Sequence, residues 1–204
     1  MTHEHCMTTD WRSFGPDMLT PALRAALGVF VREGYHGTSI RSIAGAAGLS
    51  VPGLYHHHRS KQAILDAIVT ATMTEMLAHS HAAEDDSDGT ARGRFDNLVE
   101  ALVRFHMERR DHAFLASTEM RSMDPQVLAR HIAQRDEQQR LLEAAISDGV
   151  ADGSFVSAYP ADAARAVSSL CVSIATWYRP DGPLTEDEVI ERHLDFARRI
   201  VGAA

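Results

Sequence analysis

The stretch GLSVPGLYHHHRSK, residues 48–61, gathers three consecutive histidines, a tyrosine, two serines and the only lysine of the chain. Side chains of these types bind metals, do catalysis or meet an anionic surface, and their spacing decides among the three. Metal binding fails on geometry. Adjacent helical residues point about 100° apart, so His56, His57 and His58 cannot converge on one ion as residues at i and i+4 do. The pairs His3/His5 and His79/His81 are spaced by two, and no functional metal site is expected from them. Catalysis fails by one residue: GLSVPG reads G-x-S-x-x-G, whereas a nucleophile elbow needs G-x-S-x-G between a strand and a helix.

Elsewhere, Ser117, Thr118 and Cys171 have no legible base beside them. Cys171 lies in the apolar run VSSLCVSIATW and reads as a small core residue. Cys6 and Cys171 are too few for a disulfide framework or a zinc site of paired CxxC type. No catalytic residue and no cofactor is expected.

A surface that meets something therefore remains, and the elements around it must build that surface. The chain of 204 residues, 45% hydrophobic, can bury an ordinary core. No run of eighteen apolar residues lacks a charge, and the start, MTHEHCMTTDWRSFGPD, has no apolar targeting core, so a cytoplasmic location with no membrane partner is expected. The net charge of −8 is uneven: residues 1–65 carry six basic against four acidic side chains, and the acidity lies in the rest. A slightly basic front on an acidic body suits a phosphate-contacting module attached to a domain with another task.

Apolar residues recur at three and four nearly throughout, which predicts an all-helical protein. Thr20-Pro21 starts a helix carrying Leu23, Ala26, Leu27, Phe30 and Val31 toward Gly34. Thr38 or Ser39 caps a short second helix ending at Gly48, Ser50 caps a third with Pro52 in its first turn, and Ser60 caps a long fourth running toward Leu77. The acidic, glycine-bearing segment 81–93 reads as a loop. Five further helices are expected at about 92–109, 111–122, 125–151, 160–178 and 185–202. Helix, tight turn at Gly48, helix is the spacing of a helix-turn-helix. Its second helix, near 50–56, begins with small side chains that let its N-terminus approach a groove closely. Thr38, Ser39, Ser50, Tyr55, His56 and Lys61 offer hydrogen bonds to phosphates there.

The run LRAALGVFVREGYHGTSIRSIAGAAGLSVPGLYHHHRSKQAIL, residues 23–65, resembles the DNA-binding region of the tetracycline-repressor (TetR) family of bacterial transcription regulators. The carrying features are F-x-x-x-G-Y-x-G-T-S-I-x-x-I-A-x-x-A-G-L-S at 30–50, L-Y-H-H at 54–57 and S-K at 60–61. The resemblance implies an all-α homodimer that binds a palindromic double-stranded operator and is released when a small molecule enters the C-terminal domain. By position it assigns Thr38, Ser50, Tyr55, His56 and Lys61 to the phosphate backbone, and Arg41, Val51, Pro52 and Gly53 to the face near the bases. Two departures stand out. His58 occupies a position where the family usually has Phe, which suggests a buried, hydrogen-bonded histidine. Val51 to Gly53 also lack the more usual Lys, Gln or Thr, leaving specificity to thymine-methyl contacts, Arg41 and DNA shape.

In the second half, FLASTEMRSMDP (114–125) and ATWYRPDGPLTEDEVIERHLDFARRIV (175–201) resemble the branch of the family that controls fatty-acid and sterol catabolism and often responds to acyl-coenzyme A thioesters. Large apolar side chains and arginines suit such a ligand. Arg121 and Trp177 are the leading candidate contacts, with His106, Phe114, Met120 and Tyr178 beside them. The expected organisation is a three-helix helix-turn-helix domain at 18–65 and a helical ligand-binding and dimerisation domain at 66–204. The last two helices, through Ala163-Ala166-Val167-Leu170-Ile174 and Val189-Ile190-Leu194-Ala197-Ile200-Val201, are expected at the dimer interface. The alternatives are an architectural DNA-binding protein without a ligand, and a helical enzyme acting on a thioester.

Overall fold

A computed structural model describes residues 10–203; Cys6, His3 and His5 lie outside them. Among the described residues the regular structure is helical: α1 Pro21–Gly37, α2 Ile40–Ala46, α3 Val51–His57, α4 Lys61–Asp85, α5 Ala91–Glu108, α6 Arg110–Thr118, α7 Pro125–Asp152, α8 Pro160–Trp177 and α9 Glu186–Ile200, with one 3₁₀ turn at Met120–Ser122.

The local signals act as expected at the front end. Thr20, Ser39, Ser50 and Ser60 each accept a backbone N–H of the first turn they precede, satisfying donors that the helix itself leaves unpaired. Ser39 and Ser42 cap each other reciprocally, both bonds being 3.0 Å. Gly34 breaks α1 near its end at φ +69°. Leu23, Leu27 and Phe30 of α1 pack with Ile43, Leu54, Ile64 and Leu65 into the core of this head. In the remainder, α4, α7, α8 and α9 all pack around α5, whose Phe95, Leu98, Val99 and Val103 are fully buried. No break separates residue 65 from residue 66, because α4 belongs to both parts.

Three expectations need correction. The segment 81–93 is mostly helical: α4 continues to Asp85 and α5 begins at Ala91. Ala83 is buried beneath Trp11, which also donates from Nε1 to Asp86 at 3.0 Å, so a distant contact stabilises a turn whose own composition is poor. The fifth-to-seventh helix region also differs, since α6 stops at Thr118 and hands over to the 3₁₀ turn. Finally, most of the stripe expected between subunits faces inward. Ala163, Val167, Ile174, Val189, Ala197 and Val201 belong to the protein's own core. The large apolar side chains exposed on α8 and α9 are Trp177, Phe196 and Ile200. The best-phased stripe is taken by the chain's own core.

Candidate nucleic-acid interface and ligand cavity

The turn between α2 and α3 closes around Gly48, at φ +67°. Its N–H donates to Gly45 O at 3.2 Å and that of Leu49 to Ala44 O at 2.9 Å, which ends α2 and sends the chain sharply into α3. Ser50 then caps α3 through the Gly53 N–H at 3.1 Å. Ser39, Arg41, Ser50, Pro52, Tyr55 and His56 are exposed, and Val51 and Gly53 are half-buried. Leu54, between them, anchors α3 in the core.

Two of the expected phosphate-binding residues have internal tasks. Thr38 is only 3% exposed, and its hydroxyl donates to Gly34 O at 2.7 Å. It shapes the α1–α2 corner and offers no free hydroxyl donor. Lys61 donates to Tyr35 O and Thr38 O, both at 2.7 Å, and its ammonium lies 4.2 Å from the Tyr35 ring centre. It therefore ties α4 to the end of α1, with one N–H left over. His58 is half-buried rather than buried, and no side-chain hydrogen bond forms on it among the described residues. Burial and the neighbouring His57 hold its pKa below the usual imidazole value.

The head is joined to the body at the 3₁₀ turn. Glu119 accepts the Tyr35 N–H at 3.1 Å through one oxygen and the Ser122 hydroxyl at 2.7 Å through the other. The Gln62 amide, in the orientation that satisfies both its ends, donates to Ser122 O at 3.1 Å and accepts the Asp124 N–H at 2.6 Å. Arg130 pairs with Asp66 alongside.

Within the body, α4 to α8 line a cavity of about 340 Å³ that opens to solvent. Met73, Met76, Leu102, Phe105, Ala113 and Ala116 give it an apolar lining. Thr72, His106, Ser117, His131, Gln138, Gln139 and Ser168 are its polar members, and Ile132, Arg135, Asp136 and Arg165 are exposed residues on its boundary. His106 Nδ1 pairs with Leu102 O at 2.7 Å, so the neutral ring carries its proton there and keeps Nε2 as an acceptor. Burial pushes the pKa of His106 down to about 4. His131 is likewise lowered to about 4, by burial first and by Arg135 second.

Of the expected ligand contacts only His106 lines this cavity. Arg121 is exposed on the 3₁₀ turn. Met120 meets Arg135 through its sulfur at 3.0 Å, and Phe114 packs against the core. Trp177, 44% exposed, stacks on His193 with ring centres 5.8 Å apart. Together with buried Tyr178 it lines a separate surface hollow beside Pro183 and Leu184. The cavity's lining residues that the sequence did not point to include Thr72, His131, Gln138, Arg165 and Ser168. A signal existed for two of them: His131 and Gln138 interrupt the inward stripe of α7 that includes Val127, Leu142 and Ala145. Among the described residues no group of three or more His, Cys, Asp or Glu could hold a metal ion, and no helix is long and apolar enough to cross a membrane. Burial raises the pKa of the Cys171 thiol to about 12, which leaves it unreactive.

Residues 22–68 match the family described as bacterial regulatory proteins, tetR family. Residues 88–201, more than half the chain, match the tetracyclin repressor-like C-terminal domain. The chain belongs to the TetR family. It is thus a helix-turn-helix transcriptional regulator, and α2 to α3 is the TetR DNA-binding motif, which answers the enzyme alternative. Among its TetR relatives, the transcriptional repressor KstR2 of Mycobacterium tuberculosis H37Rv is 27% identical over 180 residues, covering 84% of this chain and 86% of that protein. A tetR-family regulator from Rhodococcus RHA1 superposes with a TM-score of 0.85 at 28% identity, over 90% of this chain and 96% of the other. AibR, solved with isovaleryl coenzyme A and operator DNA, shares the fold at a TM-score of 0.79 and 22% identity, over 90% of this chain and 97% of AibR.

Proposed function

We propose that this regulator is a ligand-released repressor: a homodimer that holds a palindromic operator through two copies of α3 and lets go when an acyl-coenzyme A thioester enters the α4–α8 cavity. The observation that carries this reading is the cavity itself, apolar and walled on one side by α6 residues Ala113, Ala116 and Ser117. At its end, α6 delivers Glu119 to the Tyr35 N–H of the head. Support for the ligand class comes from AibR, whose structure holds isovaleryl coenzyme A with operator DNA. The acyl group occupies the cavity, and the coenzyme's phosphates stay outside near Arg135 and Arg165. At the operator, Ser39, Ser50, Tyr55, His56 and the remaining N–H of Lys61 meet phosphates, while Arg41, Val51, Pro52 and Gly53 face base edges. Dimerisation uses the exposed faces of α8 and α9.

A ligand that fits the spacing of the heads in the free dimer better than their spacing on DNA lowers operator affinity by its differential affinity and no more. Titrating acyl-CoA thioesters against the protein–operator complex is expected to release DNA, followed by fluorescence anisotropy of a labelled operator. Thioesters that bind nothing, or that bind and leave the complex intact, remove the acyl-CoA reading. Glu119→Ala is expected to leave thioester affinity within about twofold and to cut release about fivefold, since a lost bond to a partly buried N–H is worth about 1 kcal/mol. Full release in that variant would exclude Glu119 as the link.

A further inference from the structure

Two side chains inside the cavity lack the partners that burial ordinarily demands. His131 is 2% exposed and Gln138 5%; they are seven residues apart on α7, hence on one face and about 10 Å apart along the axis. Neither amide atom of Gln138 meets a hydrogen-bond partner, and neither ring nitrogen of His131 reaches one at full hydrogen-bond geometry, the Ala116 backbone being the polar group beside the ring. Their neighbours have already used their donors: Thr72 donates to Ile68 O at 2.8 Å, Ser117 to Phe114 O at 3.0 Å and Ser168 to Gln139 at 3.0 Å. Buried polar groups without full partners destabilise a fold, and an imidazole and an amide left so on one wall mark where a bound molecule supplies what the protein does not.

Resting on the reading of this cavity as the effector site, we infer that the effector is oxygenated: its apolar body carries two uncharged hydrogen-bonding groups about 10 Å apart, one held by His131 and one by Gln138. The chemistry of the two residues sets the class. Neutral imidazole and primary amide each offer donor and acceptor capacity but no charge, so neither balances a buried carboxylate or ammonium. Burial keeps His131 neutral at ordinary pH. Arg135 and Arg165 are exposed and serve the part of the ligand that stays outside. For an acyl thioester, the thioester carbonyl takes the His131 position, one turn from Arg135, and a hydroxyl or keto group farther along the acyl chain takes Gln138. A chain ending in a plain methyl would press hydrocarbon onto the bare amide.

The test compares decanoyl-CoA with ω-hydroxydecanoyl-CoA by calorimetry on the full-length protein, in the wild type, Gln138→Met, His131→Leu and a cavity-filling Ala116→Trp variant. The wild type is expected to bind the hydroxylated thioester about tenfold more tightly. Gln138→Met should lose that preference and raise the melting temperature of the ligand-free protein, because a near-isosteric apolar side chain replaces an unpartnered amide. His131→Leu should weaken both thioesters alike, since both carry the same carbonyl. Equal wild-type affinities, a preference that survives Gln138→Met, or a lower melting temperature in that variant, as when water already satisfies the amide, would overturn the inference alone. Binding of neither thioester, or binding indifferent to Ala116→Trp, would overturn the effector-site reading and this inference with it.

Discussion

Gly48→Val is expected to weaken operator binding by roughly thirtyfold or more while leaving the helical body and its association intact. Gly48 has φ +67°, a conformation that a β-branched residue adopts only under strain. A Cβ added there would meet no atom within 4 Å, so the cost is first conformational, about 1–3 kcal/mol. That strain falls on the turn that aims α3, because the Gly48 and Leu49 amides close α2 onto Gly45 and Ala44. A dimer on a palindrome must hold two such turns, giving about 2–6 kcal/mol and a loss of roughly thirtyfold to more than ten-thousandfold. Gly48→Asn is the control, since Asn tolerates the left-handed region far better and should retain most of the affinity. Operator titrations read the effect, and size-exclusion chromatography reports the body. A valine variant that binds like the wild type would remove Gly48 from the role of a required left-handed turn.

The head was legible in the sequence because its signals are local. Each cap at Thr20, Ser39, Ser50 and Ser60 acts within three residues of its own helix, and Gly48 marks its turn without reference to anything distant. Where contacts are long-range, the reading failed. Lys61 looked like a free cation, yet two of its N–H groups close the corner between α1 and α2. The end of α4 looked like a loop because nothing near Ala83 announces that Trp11 will cover it. The cavity is the clearest case, since five helices contribute to it and no single segment carries its signature. Arg121 and Trp177 stand out in the sequence by charge and size, properties that suit a ligand wherever they lie. The polar interruptions at His131 and Gln138 were more informative: a core-facing position given to an imidazole or an amide requires a partner, and such a partner can come from outside the chain.

The proposed dimer is the other place where a large effect is expected. Phe196 and Ile200, 49% and 38% exposed, stand one turn apart on α9, and Trp177, 44% exposed, ends α8 nearby over His193. Along α8 the exposed residues Ala166 and Ser169 are small and half-buried Ser173 follows them, which allows a second pair of helices to approach closely. Such a face, apolar at one end and smooth along its length, is suited to a second copy of itself around a two-fold axis. Replacing Phe196 and Ile200 together by Glu puts four carboxylates into a two-fold contact without touching the monomer's core, so helicity should persist while sedimentation equilibrium reports a monomer. Operator affinity should then fall by about a hundredfold or more, because the second half-site loses the effective concentration that the linked partner supplies. The two heads are otherwise unchanged, so binding to an isolated half-site should stay near the wild-type value for one head. A double variant that remains dimeric at the same protein concentration would move the interface away from α9, and a monomer that still held the full palindrome tightly would break the link between dimerisation and operator affinity.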